Sequence, residues 1–276
     1  MSNVTGNCVL CNGTTPEVIE ECKKEFNVLE CPGCGLVYVS PLPEKVLIES
    51  AHSDSYYAPW LEDQRSKRIK MWEKRLRTLN RLSVNKGRLL DIGCAEGLFP
   101  EVAGKDGWDV TGTEISHFAA QYGKEKLGLN IIQGELIDMK FPNNTFDAVT
   151  MWHVLEHTRD PIAVLREIRR ILKDNGVFIL AIPNLNNFIF QLAYKLIRGR
   201  RMHLFDPDDR ELHLYHFTTE TIRLALEKTG FSVQKILPDM GIVQRHIKVL
   251  NQFAAAGSFL TGRIITDAIE VHTKPV

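Results

Sequence analysis

An α/β protein is expected from this chain: a doubly wound, mostly parallel sheet with an antiparallel last strand, preceded by a small cysteine-bearing ribbon. Three observations carry that expectation. The segment Leu89-Leu-Asp-Ile-Gly-Cys-Ala-Glu-Gly-Leu-Phe99 reads as a buried strand, a turn of small residues and the start of a helix. Short apolar runs then alternate with helical patterns, as a parallel sheet with crossover helices requires. Ahead of them, Cys8-Val-Leu-Cys11 and Cys31-Pro-Gly-Cys34 form two Cys-x-x-Cys pairs.

Residues 1–43 make the ribbon, with strands at Phe26–Glu30 and Leu36–Val39. Cys8, Cys11, Cys31 and Cys34 suit a tetrahedral zinc ion, and Gly13 and Gly35 suit the tight knuckle after each pair. A closed four-thiolate site leaves no open position, so this Zn2+ is structural. The alternatives are disulfides or unrelated thiols, and disulfides belong to secreted chains. Cys22 reads as a core residue.

Residues 44–84 form a linker bearing Tyr56 and Tyr57, then a helix from about Trp60 to Leu82. Ile69, Trp72, Leu76 and Leu79 recur at helical spacing and face the core. Lys67, Lys70, Lys74, Arg77 and Arg81 line the opposite face. Such a stripe is a solvated helix face or, in the sharper reading, a grip on an anionic partner.

Residues 85–276 hold the α/β core. Strands are expected near 88–92, 109–113, 130–133, 146–151 and 176–182, and helices near 98–105, 117–126 and 161–172. Pro161 after Asp160 starts the last of these, and Asp174-Asn-Gly176 turns into the fifth strand. Thr218 caps a further helix that Gly230 ends before a strand at Phe231–Ile236. Ala268–Thr273 suits a last edge strand. Residues 184–217 and 241–263 are insertions covering the pocket, the second of them helical.

Lysine plus arginine equals aspartate plus glutamate at 34 each, so no net charge draws the whole chain to nucleic acid or an anionic membrane. No apolar run approaches the roughly 18 to 20 residues of a membrane span. The N-terminus lacks a signal-peptide pattern. A reducing, cytoplasmic protein with a small-molecule partner and no membrane partner is expected.

The turn narrows the ligand. A dinucleotide fingerprint places glycines at positions one, three and six. Here the small residues fall at one, three and five, and Leu98 occupies six. Asp91, Gly93, Ala95 and Gly97 resemble instead the Asp-x-Gly-x-Gly-x-Gly pattern of class I S-adenosylmethionine-dependent methyltransferases, with Ala95 at the middle glycine. The resemblance spans roughly residues 85–240 and implies a Rossmann-like fold with S-adenosyl-L-methionine as cofactor. It implies that Asp91 positions the amino acid end of the cofactor and that Glu135 and Leu136 border the adenine. Glu114, at the end of the second strand, suits both ribose hydroxyls; its bland alternative is a solvated charge. The run Phe141–His157 resembles the fourth-strand signature of the small-molecule branch and places His153 at the cofactor. Cys94 inside the turn reads as a packing residue.

Methylation of a hydroxyl or carbon acid needs a base. Candidates beyond the strand ends are His153, Glu156, His157, His213 and His216, and His153 and His216 rank first as catalytic residues because imidazole titrates near neutrality. No Asn-Pro-Pro-Tyr motif follows the fourth strand, which argues against methylation of base amines. No cluster of carboxylates suggests a metal-assisted reaction. The N-terminal half, from the cysteine pairs through Gly35-Leu-Val-Tyr38 and Pro41-Leu-Pro43, resembles the zinc module of sugar C-methyltransferases, implying a sugar or nucleotide-linked sugar acceptor. Two other functions remain open: an RNA or protein methyltransferase gripping a macromolecule with the ribbon and basic helix, and a non-catalytic S-adenosylmethionine-binding partner protein.

Overall fold

The computed structural model describes residues 7–44, 65–83, 85–239, 241 and 245–276, with backbone only for 245–248. Tyr56, Tyr57 and the helix start at Trp60 lie outside the described residues.

Strands β1 (Glu17–Glu21), β2 (Asn27–Glu30) and β3 (Val37–Ser40) make an antiparallel meander. The strand β1 has no counterpart in the sequence reading, because its apolar residues Val18 and Ile19 are exposed and leave no burial pattern. Helix α1 (Arg65–Leu82) buries Leu76 and Leu79 against Phe99 and Trp108. The row Lys67, Lys70, Lys74, Arg77 and Arg81 is exposed, as expected. The inward side of α1 was not legible: Arg68 pairs with Glu96, and Arg75 with Asp239 at 2.6 Å, all buried.

The main sheet contains β4 (Arg88–Ile92), β5 (Asp109–Glu114), β6 (Ile131–Gln133), β7 (Phe146–Trp152), β8 (Leu172–Pro183), β10 (Phe231–Pro238) and β11 (Ala268–Pro275), while β9 (Tyr215–His216) joins the first sheet. Its order is β10-β11-β8-β7-β4-β5-β6. Strands β4 to β8 run parallel, and β11 is antiparallel to both neighbours. Since β4 has β5 on one side and β7 on the other, the chain order reverses at β4, and a crevice opens beyond the carboxyl ends of these strands. The closing strand corrects one expectation: β11 is second from the edge and β10 is the edge. Ala268, Ile269, Val271, His272 and Thr273 are buried on both faces, as an interior strand demands. Likewise β8 begins at Leu172, with Lys173–Gly176 bulging out between the pairs Phe146–Leu172 and Ala148–Val177.

Crossover helices α2 (Leu98–Lys105), α3 (His117–Leu127), α4 (Pro161–Ile171), α5 (Phe188–Arg198), α6 (Thr219–Lys228) and α7 (Arg245–Thr261) complete the chain. Their starts follow side-chain chemistry: Ser116 caps α3, Asp160 caps α4 ahead of Pro161, and Thr218 and Thr221 form a reciprocal cap on α6. The stretch 184–217 reaches the ribbon. Its strand β9 pairs with β3, with Tyr215 opposite Tyr38 and His216 opposite Val37. One apolar cluster consequently runs from Leu10 and Val28 of the meander to Ile92 and Val149 of the main sheet.

Candidate active site

The turn after β4 is built from backbone conformation. Gly93, Ala95 and Gly97 have φ of 65°, 51° and 85°. Two of these positions also exclude a side chain: a Cβ on Gly93 would strike Val154, and one on Gly97 would strike Leu129. The small residues therefore serve close packing of β7 and β6 around the turn as well as a bare backbone. Cys94 is buried against Gly112, and burial holds its thiol in the neutral form, which agrees with packing.

Two buried carboxylates flank this turn. Asp91 accepts a hydrogen bond from Thr150 Oγ1 at 2.7 Å, and burial pushes its pKa up to about 7. Glu114 accepts from the backbone N–H of Ala95 and of Ser116, each at 2.8 Å. The end of β5 is thereby clamped to the turn after β4. Gly134 N–H donates to Glu114 O, bringing the end of β6 alongside, where Glu135 opens a short 3-10 turn and Leu136 is buried. Asp91, Gly93, Ala95, Gly97, Glu114, Glu135 and Leu136 thus share one end of the sheet.

His153 follows β7 directly, with a left-handed backbone at φ 55° and its N–H donating to Ala181 O. For a non-glycine residue this conformation is strained. Its Nε2 donates to Asp239 Oδ2 at 3.1 Å. Asp239 also accepts from Arg75 and from the Gly241 N–H. Burial alone would raise Asp239, but Arg75 and His153 hold it well below the usual carboxylate range. Burial opposes charging of His153, and Asp239 outweighs it, raising the imidazole pKa. Arg75 lies over the rings of Trp152 and Trp72, at 4.3 and 5.0 Å from their centroids. Sequence reasoning missed Arg75 and Asp239. They are 164 residues apart, and the only local sign was an acid shortly after a predicted strand.

All five candidate bases gather here. Glu156 is buried with neither carboxylate oxygen hydrogen-bonded, and burial pushes its pKa up to about 7. His153 Nδ1 and His157 Nε2 lie 3.8 and 3.9 Å from Glu156 Oε1. His157 Nδ1 donates to Leu212 O, and its ring lies 4.8 Å from that of His213. His216 is one step further, 6.3 Å from His213 between ring centroids. Burial lowers His213 to about 3 and His216 to about 4, so both imidazoles are neutral. His153 thus stands at the carboxyl end of β7, while His216 pairs through β9 with Val37 of the ribbon.

In the ribbon, the four expected thiols converge. Cys8 and Cys34 sulfurs are 3.6 Å apart, Cys11 and Cys31 3.4 Å, and all four lie within 4.8 Å of one another. A tetrahedral zinc with Zn–S of about 2.3 Å sets its sulfurs about 3.8 Å apart, so the set fits. Cys22 stands outside it, packed against the core.

Strand order and the turn after β4 define a Rossmann-like fold with a crevice where the chain order reverses. The profile of a methyltransferase domain family matches residues 62–236, and the chain belongs to that family as an S-adenosylmethionine-dependent methyltransferase. It is 26% identical over 200 residues to the ubiquinone biosynthesis O-methyltransferase of Vibrio parahaemolyticus, covering 68% of this chain and 77% of that protein. It is 27% identical over 182 residues to the demethylmenaquinone methyltransferase of Staphylococcus aureus, covering 59% and 74%. An S-adenosylmethionine-dependent methyltransferase structure from Archaeoglobus fulgidus shares the fold, with TM-score 0.54 and 20% identity over 75% of this chain and 94% of that one. Among the described residues, no helix is long and apolar enough to cross a membrane.

Proposed function

We propose that this enzyme methylates an oxygen or carbon atom of a small molecule, with His153 as the base. The observation that carries this is the dyad of His153 with Asp239 at the end of β7, beside the cofactor turn. S-adenosylmethionine supplies a methyl group on a cationic sulfur, open to in-line displacement. Asp91 takes the amino end of that cofactor, Glu114 its ribose hydroxyls, and Glu135 and Leu136 border the adenine. The backbone of His153 borders the cofactor and its ring faces the acceptor. Asp239, kept ionised by Arg75, accepts from Nε2. The Nδ1 lone pair is then free to take the acceptor's proton. His213 and His216, neutral and buried, line the far wall. Cys8, Cys11, Cys31 and Cys34 hold structural zinc, and the ribbon forms a wall of the acceptor side.

Two acceptor classes have support: the quinone-ring precursors that the relatives' names imply, and the nucleotide-linked sugar that the N-terminal resemblance implies. The exposed basic row on α1 supports a macromolecular acceptor. Its inward arginines, however, are occupied by Glu96, Glu101 and Asp239. Labelled S-adenosylmethionine with fractionated cell extract separates these readings. Label in the small-molecule fraction, with the product identified by mass, is expected. Label that disappears on RNase or protease treatment would overturn the proposal, and tight cofactor binding without transfer to any fraction would make the chain a binding protein.

A further inference from the structure

Helices α5 and α7 turn their apolar residues outward. Eight of the eleven residues of α5, Phe188–Arg198, are apolar, yet none is buried. Leu196 and Ile197 are each 77% exposed. The inversion is plainer in α7. Its inward face is small and polar: Asn251 accepts from the Asp267 N–H, and Ser258 donates to Ala254 O. Its outward face carries Val249, Phe253, Phe259 and Leu260, the last two 90% and 83% exposed. A surface helix ordinarily does the reverse, with its apolar stripe facing the core. The two helices touch each other, and exposed apolar area of this kind marks a contact with something apolar.

Charge specifies what that something is. Residues 184–205 and 240–266 contain no aspartate or glutamate, but they hold Lys195, Arg198, Arg200, Arg201, Arg245, Lys248 and Arg263. The balance of 34 basic and 34 acidic residues over the whole chain conceals this segregation. A second copy seated on the same face would set one acid-free, cation-bearing surface against another. An anionic bilayer meets both demands at once. The surface also borders the site: α5 follows β8 and Asn184, whose side chain donates to Ile264 O and Thr266 O beyond α7, and α7 follows Asp239.

We propose that α5 and α7 together lie on an anionic lipid surface, their exposed apolar side chains in the acyl boundary and Lys195, Arg198, Arg200, Arg201 and Arg263 among the headgroups. Attachment is peripheral, since the helices have 11 and 17 residues and a span needs about 20. The acceptor side then opens next to the lipid.

The full-length protein with vesicles of phosphatidylcholine, alone or mixed with phosphatidylglycerol, tests this by co-sedimentation. Binding is expected to the mixed vesicles and to fall as salt rises. Phe259→Ser with Leu260→Ser, and separately Leu196→Ser with Ile197→Ser, should weaken it about tenfold or more. Arg200→Gln with Arg201→Gln should weaken it several-fold and flatten its salt dependence. Because these side chains are exposed, the thermal midpoint and S-adenosylhomocysteine affinity should stay at wild-type levels, which separates lost docking from lost folding. Equal partition with both vesicle types, or none with either, would overturn the proposal. So would a lipid-free dimer that Phe259→Ser with Leu260→Ser dissolves, because it would assign the face to a second copy.

Discussion

On the side we assign to the cofactor, Asp91 and Glu114 end neighbouring parallel strands; Glu114 accepts from the turn between β4 and α2 and from Ser116, and Asp91 accepts from Thr150 of β7. On the proposed acceptor side, His153 pairs with Asp239, 86 residues away, and Asp239 with Arg75, 164 residues away. The first half is centred on one strand, turn and helix in succession, held by the parallel strands beside it. The second is assembled by tertiary packing from α1, β7 and the segment after β10. A local site keeps its shape as long as the sheet stands. A non-local one holds only while several elements stay docked, which also leaves it free to differ between relatives with different acceptors.

The largest effect that sharpens this contrast concerns the non-local half. Arg75→Met leaves Asp239 buried beside one imidazole and removes a guanidinium from two tryptophan rings. Stability in urea unfolding should drop by about 3–5 kcal/mol. A loss under about 1 kcal/mol would mean that the acceptor side does not rest on this ion pair. On the local half, Glu114→Gln should weaken S-adenosylhomocysteine binding by about 2–3 kcal/mol in titration calorimetry, because a charged acceptor for two hydroxyls becomes neutral. Unchanged affinity would remove Glu114 from the ribose.

Asp91 gives a smaller, pH-dependent effect. With its pKa pushed up to about 7 by burial, it is mostly protonated at pH about 6 and mostly a carboxylate at pH about 8. The carboxylate is the form that accepts from the cofactor's ammonium, so affinity should rise several-fold across that interval. Asp91→Asn should flatten the rise. The smallest effect comes from Ala95, which holds φ 51°. Ala95→Gly should raise stability by about 0.5 kcal/mol, the relief of left-handed strain less the extra unfolded-chain entropy. Thermal unfolding measures it, and a fall in midpoint would show that the alanine methyl is packed in the turn.

The same contrast explains what the sequence disclosed. The parallel strands and their helices were legible because each is short, apolar and bounded by Gly, Pro, Ser or Asp. The convergence of the four cysteines was legible from spacing, and the strand ends that carry Asp91 and Glu114 from apolar runs and the turn after them. What was hidden depends on register and long-range pairing. The interior place of β11 is set by which strand it joins, and nothing in Ala268–Pro275 states that. His216 reads as a loop residue in the sequence, and only the pairing of β9 with β3 shows that it sits against the ribbon. Arg68 and Arg75 read as part of a basic helix, and only the docked α1 shows them facing Glu96 and Asp239.

The division of labour between the halves is tested most directly by comparing His153→Ala with Glu114→Gln for S-adenosylhomocysteine affinity and, once an acceptor is identified, for turnover. The dyad at the end of β7 predicts that His153→Ala keeps the affinity within a few-fold and loses about a hundredfold or more in kcat. For Glu114→Gln the loss should fall on affinity. If His153→Ala weakens the cofactor as much as Glu114→Gln does, or leaves kcat intact, His153 is not the base and the acceptor side has been misassigned.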